Sequence, residues 1–261
     1  MSEAWRVIQG NSMAVLQGLD AASVDMVLTD PPYSSGGFTR GDRTASTTTK
    51  YTNNDASGAS SLPAFAGDNR DQRGWLVWCG LWLAECLRVA KPGAVLACFT
   101  DWRQLPSLTD AVQIGGWVWR GVSAWQKPDG RPQLGRPSND CEFMVWATAG
   151  ARAIVGEVGP RSHVAQAPRV REHQTEKPLG LLREWVKLAP PGGVVLDPFA
   201  GSGSTGEAAM LEGRRFIGIE ITDQYTRVAR ARLGGMDSAG ARETPTQPTL
   251  FGLGAHDEGA A

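Results

Sequence analysis

The sequence predicts an α/β protein with a Rossmann-like, mostly parallel sheet and helices on both of its faces. Short apolar runs typical of buried strands recur along the chain, and several stretches between them have the spacing of amphipathic helices. A glycine-rich turn joins one of these runs directly to a helical stretch, as in nucleotide-binding α/β sheets. The chain has 261 residues, 41% of them hydrophobic, which is enough to bury such a core without disulfides or structural metals.

The first predicted strand is Val24–Thr29, a nearly continuous apolar run that fits a strand buried on both faces. In residues 75–89 the large apolar side chains lie near helical spacing, which predicts an amphipathic helix. This helix is expected to stop at Lys91-Pro92-Gly93, because proline and glycine both interrupt helices. Residues 94–99 are apolar again and form the next predicted strand.

The remaining elements continue the same alternation. Further strands are predicted at 117–126, 143–148, 194–196 and 215–220, and further helices at 178–188, 205–211 and 223–233. Strands that alternate with crossover helices favour parallel pairing in a sheet covered on both faces.

Residues 1–233 are predicted to form one domain, and three segments of the chain do not fit its core. One of them, at roughly residues 150–172, is short of core residues. Residues 34–73 are rich in Ser, Thr, Gly and Asn with almost no aliphatic side chains, which predicts a long mobile loop. Residues 234–261 are polar and are predicted to form a disordered tail.

Charge and cysteine content exclude several classes of protein. Lys and Arg number 26 against 27 Asp and Glu, so the whole chain presents no basic field to nucleic acid, and any such contact has to come from local patches. The four cysteines form no C-x-x-C pair and the three histidines are scattered, so no metal is expected. Without a secretory leader or a membrane-length apolar run, the chain is expected to be cytoplasmic.

The glycine-rich turn is Leu196-Asp-Pro-Phe-Ala-Gly-Ser-Gly-Ser-Thr-Gly206, between a predicted strand and a predicted helix. Gly201 and Gly203 allow a sharp bend and a close approach of backbone to ligand. Glu220 ends the next strand, where a carboxylate can accept both hydroxyls of a ribose. Taken alone the turn fits G-x-G-x-x-G, so a nicotinamide-dependent oxidoreductase, or a turn needed only for packing, would explain it as well.

A second motif, Asp30-Pro31-Pro32-Tyr33, directly follows the first predicted strand. A strand that runs off the sheet into this motif places a carboxylate, a rigid proline carbonyl and an aromatic ring at the carboxyl edge. Ligands bind at that edge in open α/β sheets. The two prolines fix φ and so hold this geometry.

The two motifs occur with two others in one order: His173-x-Thr175-x-Lys177-Pro178 lies before the glycine loop, and Trp125-Gln126-Lys127-Pro128 follows an apolar strand. Over roughly residues 5–233 this arrangement resembles the DNA amino-methyltransferases, which methylate the exocyclic amine of adenine or cytosine. The catalytic motif precedes the cofactor motif, as in the permuted β-class of that family. The resemblance implies a small target-recognition segment at about 127–172 and a DNA-facing loop at 34–73.

The resemblance implies S-adenosylmethionine as cofactor and no metal. Catalysis would rest on Asp30, Pro31, Pro32 and Tyr33. The cofactor-binding residues that match the family motifs are Asn11, Asp30, Thr175, Lys177, Asp197, Phe199, Gly201, Gly203, Ser204 and Glu220. Gly10-Asn11 stands where the family usually has Gly-Asp, so the contact to the cofactor's adenine departs from the pattern.

The chemistry of these residues agrees with the resemblance. An adenine amine is a poor nucleophile because its lone pair is delocalised into the ring. If the Asp30 carboxylate and the Pro31 carbonyl accept its two hydrogens, the lone pair turns toward the incoming methyl group, which is catalysis by positioning and electrostatics. The target base must be flipped out of the duplex, and Tyr33 offers a ring on which it can stack.

Several other substrates and activities are alternatives to methylation of the N6 amine of adenine in DNA. Cytosine-N4 is the main alternative, since Asp-Pro-Pro-Tyr is the commoner adenine form of the motif and Ser-Pro-Pro-Tyr the commoner cytosine form. Cytosine-C5 methylation is excluded because no cysteine here follows a proline. Methylation of RNA or of protein glutamine, an NAD-dependent oxidoreductase and an inactive DNA-binding regulator are more remote.

The predicted partner is double-stranded DNA, and a homodimer that shares recognition is a second expectation. In the tail, Gln247-Pro248-Thr249-Leu250-Phe251 resembles the peptides that dock bacterial proteins on the sliding clamp, although folding back of the tail explains it equally. Basic residues expected to contact DNA cluster in the loop and around the target-recognition segment: Arg40, Arg43, Lys50, Lys127, Arg131, Arg136, Arg152, Arg161, Arg169 and Arg171.

Overall fold

The computed structural model describes residues 4–33, 70–127, 134–135, 137, 139–152, 163–164 and 177–238. The strands are β1 (Trp5–Gln9), β2 (Val24–Thr29), β3 (Ala90–Thr100), β4 (Val118–Gln126), β5 (Cys141–Thr148), β6 (His163–Val164), β7 (Val194–Asp197) and β8 (Arg215–Glu220). The helices are α1 (Ser12–Gln17), α2 (Gln72–Val89), α3 (Leu105–Ile114), α4 (Leu179–Val186), α5 (Ser204–Leu211) and α6 (Asp223–Ser238).

The eight strands form one sheet in the order β1-β8-β7-β2-β3-β5-β4-β6. Strand β5 is antiparallel to both of its neighbours, β3 and β4, while the other pairings are parallel. Strand β5 therefore begins at the edge where β2, β3, β7 and β8 end, and its first residues lie close to the residues that follow those strands. The predicted Rossmann-like, mostly parallel sheet is confirmed.

The core lies in two layers, one on each face of the sheet. On one face α1, α2 and α3 contribute buried side chains such as Leu16, Trp82 and Leu108, and on the other α4, α5 and α6 contribute Trp185, Ala209 and others. The prediction of helices on both faces is thus confirmed. No helix in the described parts of the chain is long and apolar enough to cross a membrane.

Four described elements were not predicted, namely β1, α1, α3 and β6. Strand β1 lies at the edge of the sheet and buries only Val7, so it lacks the apolar run by which the inner strands were identified. Helix α1 has six residues and β6 has two, lengths at which a hydrophobic period is not visible. Helix α3 has a proline in its first turn.

Three predicted boundaries moved by three residues or more. Helix α2 begins at Gln72, because the Asp71 side chain accepts a hydrogen bond from Gly74 N at 2.8 Å and caps the helix. Strand β3 begins at Ala90 and includes the Lys-Pro-Gly breaker, beside a register shift against β2. Helix α6 continues to Ser238, so the predicted tail is helical in its first five residues, 234–238.

Candidate active site

Three parallel strands end at one edge of the sheet and carry polar side chains there. Strand β2 is followed by Asp30, β7 ends at Asp197 and β8 ends at Glu220. Strands β7 and β2 are neighbours in the sheet. The next described helix after β7 is α5 and the next after β2 is α2, and these two helices lie on opposite faces of the sheet. A crevice opens at such a switch point, and it is where ligands bind in open α/β sheets.

The Asp30-Pro31-Pro32-Tyr33 loop is anchored by hydrogen bonds to its backbone. Trp75 donates its indole N–H to the Pro32 carbonyl at 2.7 Å, and the Gln104 amide donates to the Tyr33 carbonyl at 2.9 Å. The Tyr33 hydroxyl donates to Asp30 Oδ1. The carboxylate therefore lies on a loop held by α2 and by the residue before α3, which is the rigidity that a positioned acceptor needs.

A partly buried network of charges surrounds Asp30. Lys177 Nζ lies 2.6 Å from Asp30 Oδ2 and 3.3 Å from Glu142 Oε2. Lys127 Nζ lies 2.6 Å from Glu142 Oε1, so two lysines alternate with two carboxylates. The Lys177 side chain is only 5% exposed, and its ammonium also lies 5.3 Å from the centre of the Tyr33 ring. Each buried charge thus has an opposite charge in contact, as burial requires.

This network decides which groups are ionised. Burial raises the pKa of the Asp30 carboxyl above its ordinary value, although Lys177 acts to lower it. Burial also acts to raise the pKa of Glu142, but Lys177 and Lys127 together bring it below its ordinary value. Burial acts to lower the pKa of Lys177, and the two carboxylates raise it above its ordinary value. Lys177 and Glu142 are therefore charged at neutral pH, and of the two carboxyl groups Asp30 is the one that holds a proton more readily.

The glycine loop bends between β7 and α5 beside Glu220. Gly201 has φ +50° and Gly203 has φ +85°, in the left-handed region that favours glycine. A Cβ on Gly203 would also lie 3.0 Å from Cβ of Ala229, so α6 approaches the loop too closely for a side chain. Gly201 N donates to Glu220 Oε2 at 3.1 Å, which joins the loop to the end of β8.

Glu220 is oriented by three donors although only 9% of the residue is exposed. Besides Gly201 N, the backbone N–H and the hydroxyl of Thr222 both donate to Oε1 at 2.8 Å. A carboxylate offers about four lone-pair sites, so it can still accept from a ligand. Its position beside the glycine loop agrees with the predicted contact to a ribose.

Phe199 and Asn11 flank the loop. The Phe199 ring packs at 5.3 Å from Trp78 and 5.1 Å from Trp82, in an aromatic cluster below the loop. The Asn11 side-chain oxygen accepts from Met13 N at 3.0 Å and caps α1. The amide N–H groups of Asn11 are the part of this side chain that remains to contact a ligand.

Asp197 is buried at the end of β7. Its Oδ1 accepts from the Thr29 hydroxyl at 2.7 Å and from Phe199 N at 3.0 Å. Burial raises the pKa of this carboxyl from 3.8 to about 6, against the lowering effect of these bonds and of Thr205. Asp197 thus fastens the glycine loop to β2, and burial makes ionisation of its carboxyl less favourable than it is in water.

The raised pKa predicts how stability depends on pH. The folded state binds the Asp197 proton more tightly than the unfolded chain, so ionisation lowers the free energy of unfolding as pH rises from about 4 through about 6. Because the amide does not ionise, we expect the free energy of unfolding of Asp197→Asn, relative to that of the wild type, to rise over that pH interval by roughly 3 kcal/mol at most. Urea unfolding of both proteins at several pH values measures this difference, and a constant difference would contradict the assignment.

Two of the predicted site residues make contacts within the protein that the sequence did not indicate. Lys177 is predicted to bind the cofactor, and its described ion pairs are to Asp30 and Glu142. Arg152 was predicted to contact DNA, but its guanidinium donates to the carbonyls of Gly93 and Leu188, both at 2.9 Å. Those carbonyls lie at the edge of the sheet where β3 and β7 begin. We therefore leave Arg152 out of the proposed DNA surface.

Most of the other predicted nucleic-acid contacts, and one cofactor contact, lie outside the described residues. Among the basic residues predicted to contact DNA, Lys127 is described, and its ion pair with Glu142 places it at the candidate site. The others outside the described ranges are Arg40, Arg43, Lys50, Arg131, Arg136, Arg161, Arg169 and Arg171, together with Thr175 of the cofactor set. The clamp-like stretch at 247–251 also lies outside them.

Glu142 and Gln104 are not among the site residues that the sequence predicts. Glu142 precedes the apolar run of β5, and its isolated charge at the start of a core strand was the available signal. This charge can be assigned to the site only when β5 is known to be antiparallel to β3 and β4, because the start of β5 then lies at the edge of the sheet that carries the site. Gln104 carried no signal, since its function is a hydrogen bond to a distant backbone carbonyl.

The chain is similar to known DNA methylases over most of its length. A family model described as DNA methylase, named for N6 and N4 enzymes, matches residues 24–157 and 156–231. YubD of Escherichia coli (strain K12), a protein named as a methylase, is 30% identical over 236 residues, which cover 90% of this chain and 92% of that protein. The DNA adenine methyltransferase YhdJ of the same strain is 29% identical over 273 residues, covering 89% and 83%.

Among solved structures, the M1.HpyAVI–SAM complex aligns with a TM-score of 0.63 and 23% sequence identity, over 88% of this chain and 98% of that one. At this level of identity the likeness supports the fold.

Proposed function

The chain belongs to the DNA methylase family of N6 and N4 amino-methyltransferases, and from that premise we propose that it methylates the N6 amine of adenine in double-stranded DNA. The methyl donor is S-adenosylmethionine, whose sulfonium supplies an already activated methyl group. The observation that carries the proposal is the Asp30 carboxylate, partly buried at the switch point of the sheet, beside the Pro31 carbonyl and one strand away from the glycine loop.

In this proposal Asp30 and Pro31 orient the target amine. One hydrogen of the amine is donated to the Asp30 carboxylate and the other to the Pro31 carbonyl, which directs the nitrogen lone pair away from both acceptors. The described contacts of Asp30 are one hydrogen bond from Tyr33 to Oδ1 and one from Lys177 to Oδ2, which leave lone pairs for the amine. The Tyr33 ring provides a face against which a flipped base can stack.

The proton released in the reaction has an acceptor within the same site. As the new N–C bond forms and the C–S bond of the donor breaks, the nitrogen gives up one hydrogen as a proton. Burial raises the pKa of Asp30, so this carboxylate is suited to take that proton after the methyl group has moved.

The choice of adenine over cytosine rests on two supports. The catalytic motif begins with Asp, which is the commoner form among adenine enzymes in the family that the sequence resembles. The relative YhdJ, 29% identical, is named as a DNA adenine methyltransferase. The family also contains N4 enzymes, so cytosine-N4 methylation is the second candidate.

Incubation of unmethylated plasmid DNA with the protein and labelled S-adenosylmethionine tests the proposal. We expect label in N6-methyladenine after digestion to nucleosides, and long-read sequencing of the product maps the recognition site. Label in N4-methylcytosine would show that the target is the N4 amine of cytosine and not the N6 amine of adenine, while methylation of an exocyclic amine would stand. An absence of label in DNA, with labelled RNA or protein in parallel reactions, would overturn the proposed substrate.

A cofactor-binding prediction follows from Glu220. Replacing Glu220 by Ala removes a carboxylate placed to accept the ribose hydroxyls, so binding of S-adenosylmethionine should weaken by roughly 1.5–3 kcal/mol, the range for hydrogen bonds to a charged group. Calorimetry measures the affinity. Asp223→Ala is the matched control, since Asp223 follows the same strand but is exposed and paired with Arg227. Equal affinities for the two variants would contradict the ribose assignment.

A further inference from the structure

Trp102 is a half-exposed indole at the edge of the sheet that carries the proposed active site. It lies two residues after the end of β3 and is 47% exposed, whereas Trp75, Trp82, Trp117, Trp125 and Trp185 are buried. The indole is the largest aromatic side chain, and one that remains exposed beside a binding site is typical of a contact surface for a partner.

The turn that carries Trp102 is held rigidly against the catalytic loop. Asp101 Oδ1 accepts from Arg103 N at 3.1 Å and from Gln104 N at 2.9 Å, which closes the turn. Gln104 then donates to the Tyr33 carbonyl at 2.9 Å, and Gln72 donates to the Arg103 carbonyl at 3.1 Å. The indole therefore has a fixed position relative to the proposed base-binding loop.

The side chain of Arg103, a cation, lies beside the Trp102 indole. The Arg103 guanidinium lies 5.0 Å from the centre of the Trp102 ring and 3.6 Å from Asp101 Oδ2, and the Arg103 side chain is 42% exposed. An aromatic face for a base with an adjacent cation for a phosphate is the combination by which proteins hold unpaired nucleotides. This charge favours a nucleic-acid partner over an apolar protein surface.

We propose that Trp102 supports the opened duplex beside the flipped target base. Its indole stacks on the base that loses a neighbour when the target leaves the helix, and Arg103 contacts the adjoining phosphate. Unstacking a base costs free energy, and an apolar side chain placed against the gap offsets part of that cost. This inference rests on the proposed function, because it requires duplex DNA whose target base is flipped.

The test compares two duplexes that contain the mapped recognition site, one fully paired and one with the target base mispaired. Single-turnover methylation by Trp102→Ala should be roughly 5- to 100-fold slower than by the wild type on the paired duplex, as expected for the loss of one base–aromatic stack. On the mispaired duplex its rate should return toward the wild-type rate, because the target base is already partly unstacked. Trp102→Phe retains a stacking face and should keep most of the activity.

Trp119→Ala is the matched control. Trp119 is 43% exposed but lies near the start of β4, at the opposite edge of the sheet, and the variant should equal the wild type on both duplexes. A Trp102→Ala variant that equals the wild type on the paired duplex, or that is slowed equally on both duplexes, would overturn the inference. Failure of the wild-type protein to methylate either duplex would instead contradict the proposed function.

Discussion

Replacing Asp30 by Ala should abolish methyl transfer while the affinity for S-adenosylmethionine stays nearly unchanged. The carboxylate lies at the switch point with its described contacts to Tyr33 and Lys177, and in the proposed mechanism its substrate partner is the target amine. The loss of a group that stabilises only the transition state lowers kcat, and removal of one preorganised donor in other enzymes costs about 10²–10³-fold. We expect a decrease of at least that size at saturating DNA.

The Asp30→Asn variant separates the effect of the negative charge from that of the side chain's shape. The amide keeps the shape and one acceptor oxygen but lacks the negative charge, so its activity should fall between those of the wild type and Asp30→Ala. Asp110→Ala, an exposed carboxylate on α3, is the control and should have wild-type activity. Rates are measured with excess labelled cofactor on the mapped DNA site, and calorimetry reports cofactor binding separately. Substantial turnover by Asp30→Ala would remove Asp30 from the catalytic role.

The parts of the fold that could be predicted are those whose signal is local. Strands β2 and β8 have the predicted bounds because each is a compact apolar run that ends at a polar residue, Thr29 in β2 and Glu220 in β8. The glycine loop was predictable because its glycines, strand and helix are consecutive in the sequence. Strand β1 could not be recognised in this way, since it buries only Val7 and owes its pairing to β8, more than two hundred residues away.

The same distinction holds within the candidate site. Asp30 and Tyr33 belong to one short motif, whereas Lys177 reaches Asp30 across 147 residues of chain. Glu142 joins them only because β5 runs antiparallel to β3, which brings its first residues to the carboxyl edge. A motif near the glycine loop therefore indicated that Lys177 belongs to the site, while the choice between the cofactor and the catalytic carboxylate required the three-dimensional arrangement.

The largest effect outside the catalytic motif is expected from Lys177→Met. This change leaves Asp30 and Glu142 as partly buried carboxylates without the ammonium between them, and breaking a buried ion pair costs up to about 3–5 kcal/mol of stability. We propose that Lys177 is a positioning residue that keeps Asp30 ionised and oriented. Thermal unfolding confirms which variants are folded, and Lys177→Arg, which keeps the charge, should retain part of the activity.

The dependence of activity on pH distinguishes this role from cofactor binding. Lys177 lowers the pKa of Asp30, whereas burial and Glu142 raise it, so in Lys177→Met the carboxyl should stay protonated to higher pH. Because the proposed acceptor is the ionised form, the acidic limb of the kcat profile should move to higher pH, and activity should partly return as pH rises.

Lys91→Met is the control for this prediction. It removes an ammonium at 2.9 Å from Asp25, at the edge where β2 begins, and should leave the pH profile unchanged. If Lys177→Met raised KM for S-adenosylmethionine at an unchanged kcat, Lys177 would bind the cofactor as the motif alone predicted. A decrease of kcat by the same factor at every pH would instead indicate a purely structural role, because a loss of folded protein does not follow the ionisation of Asp30.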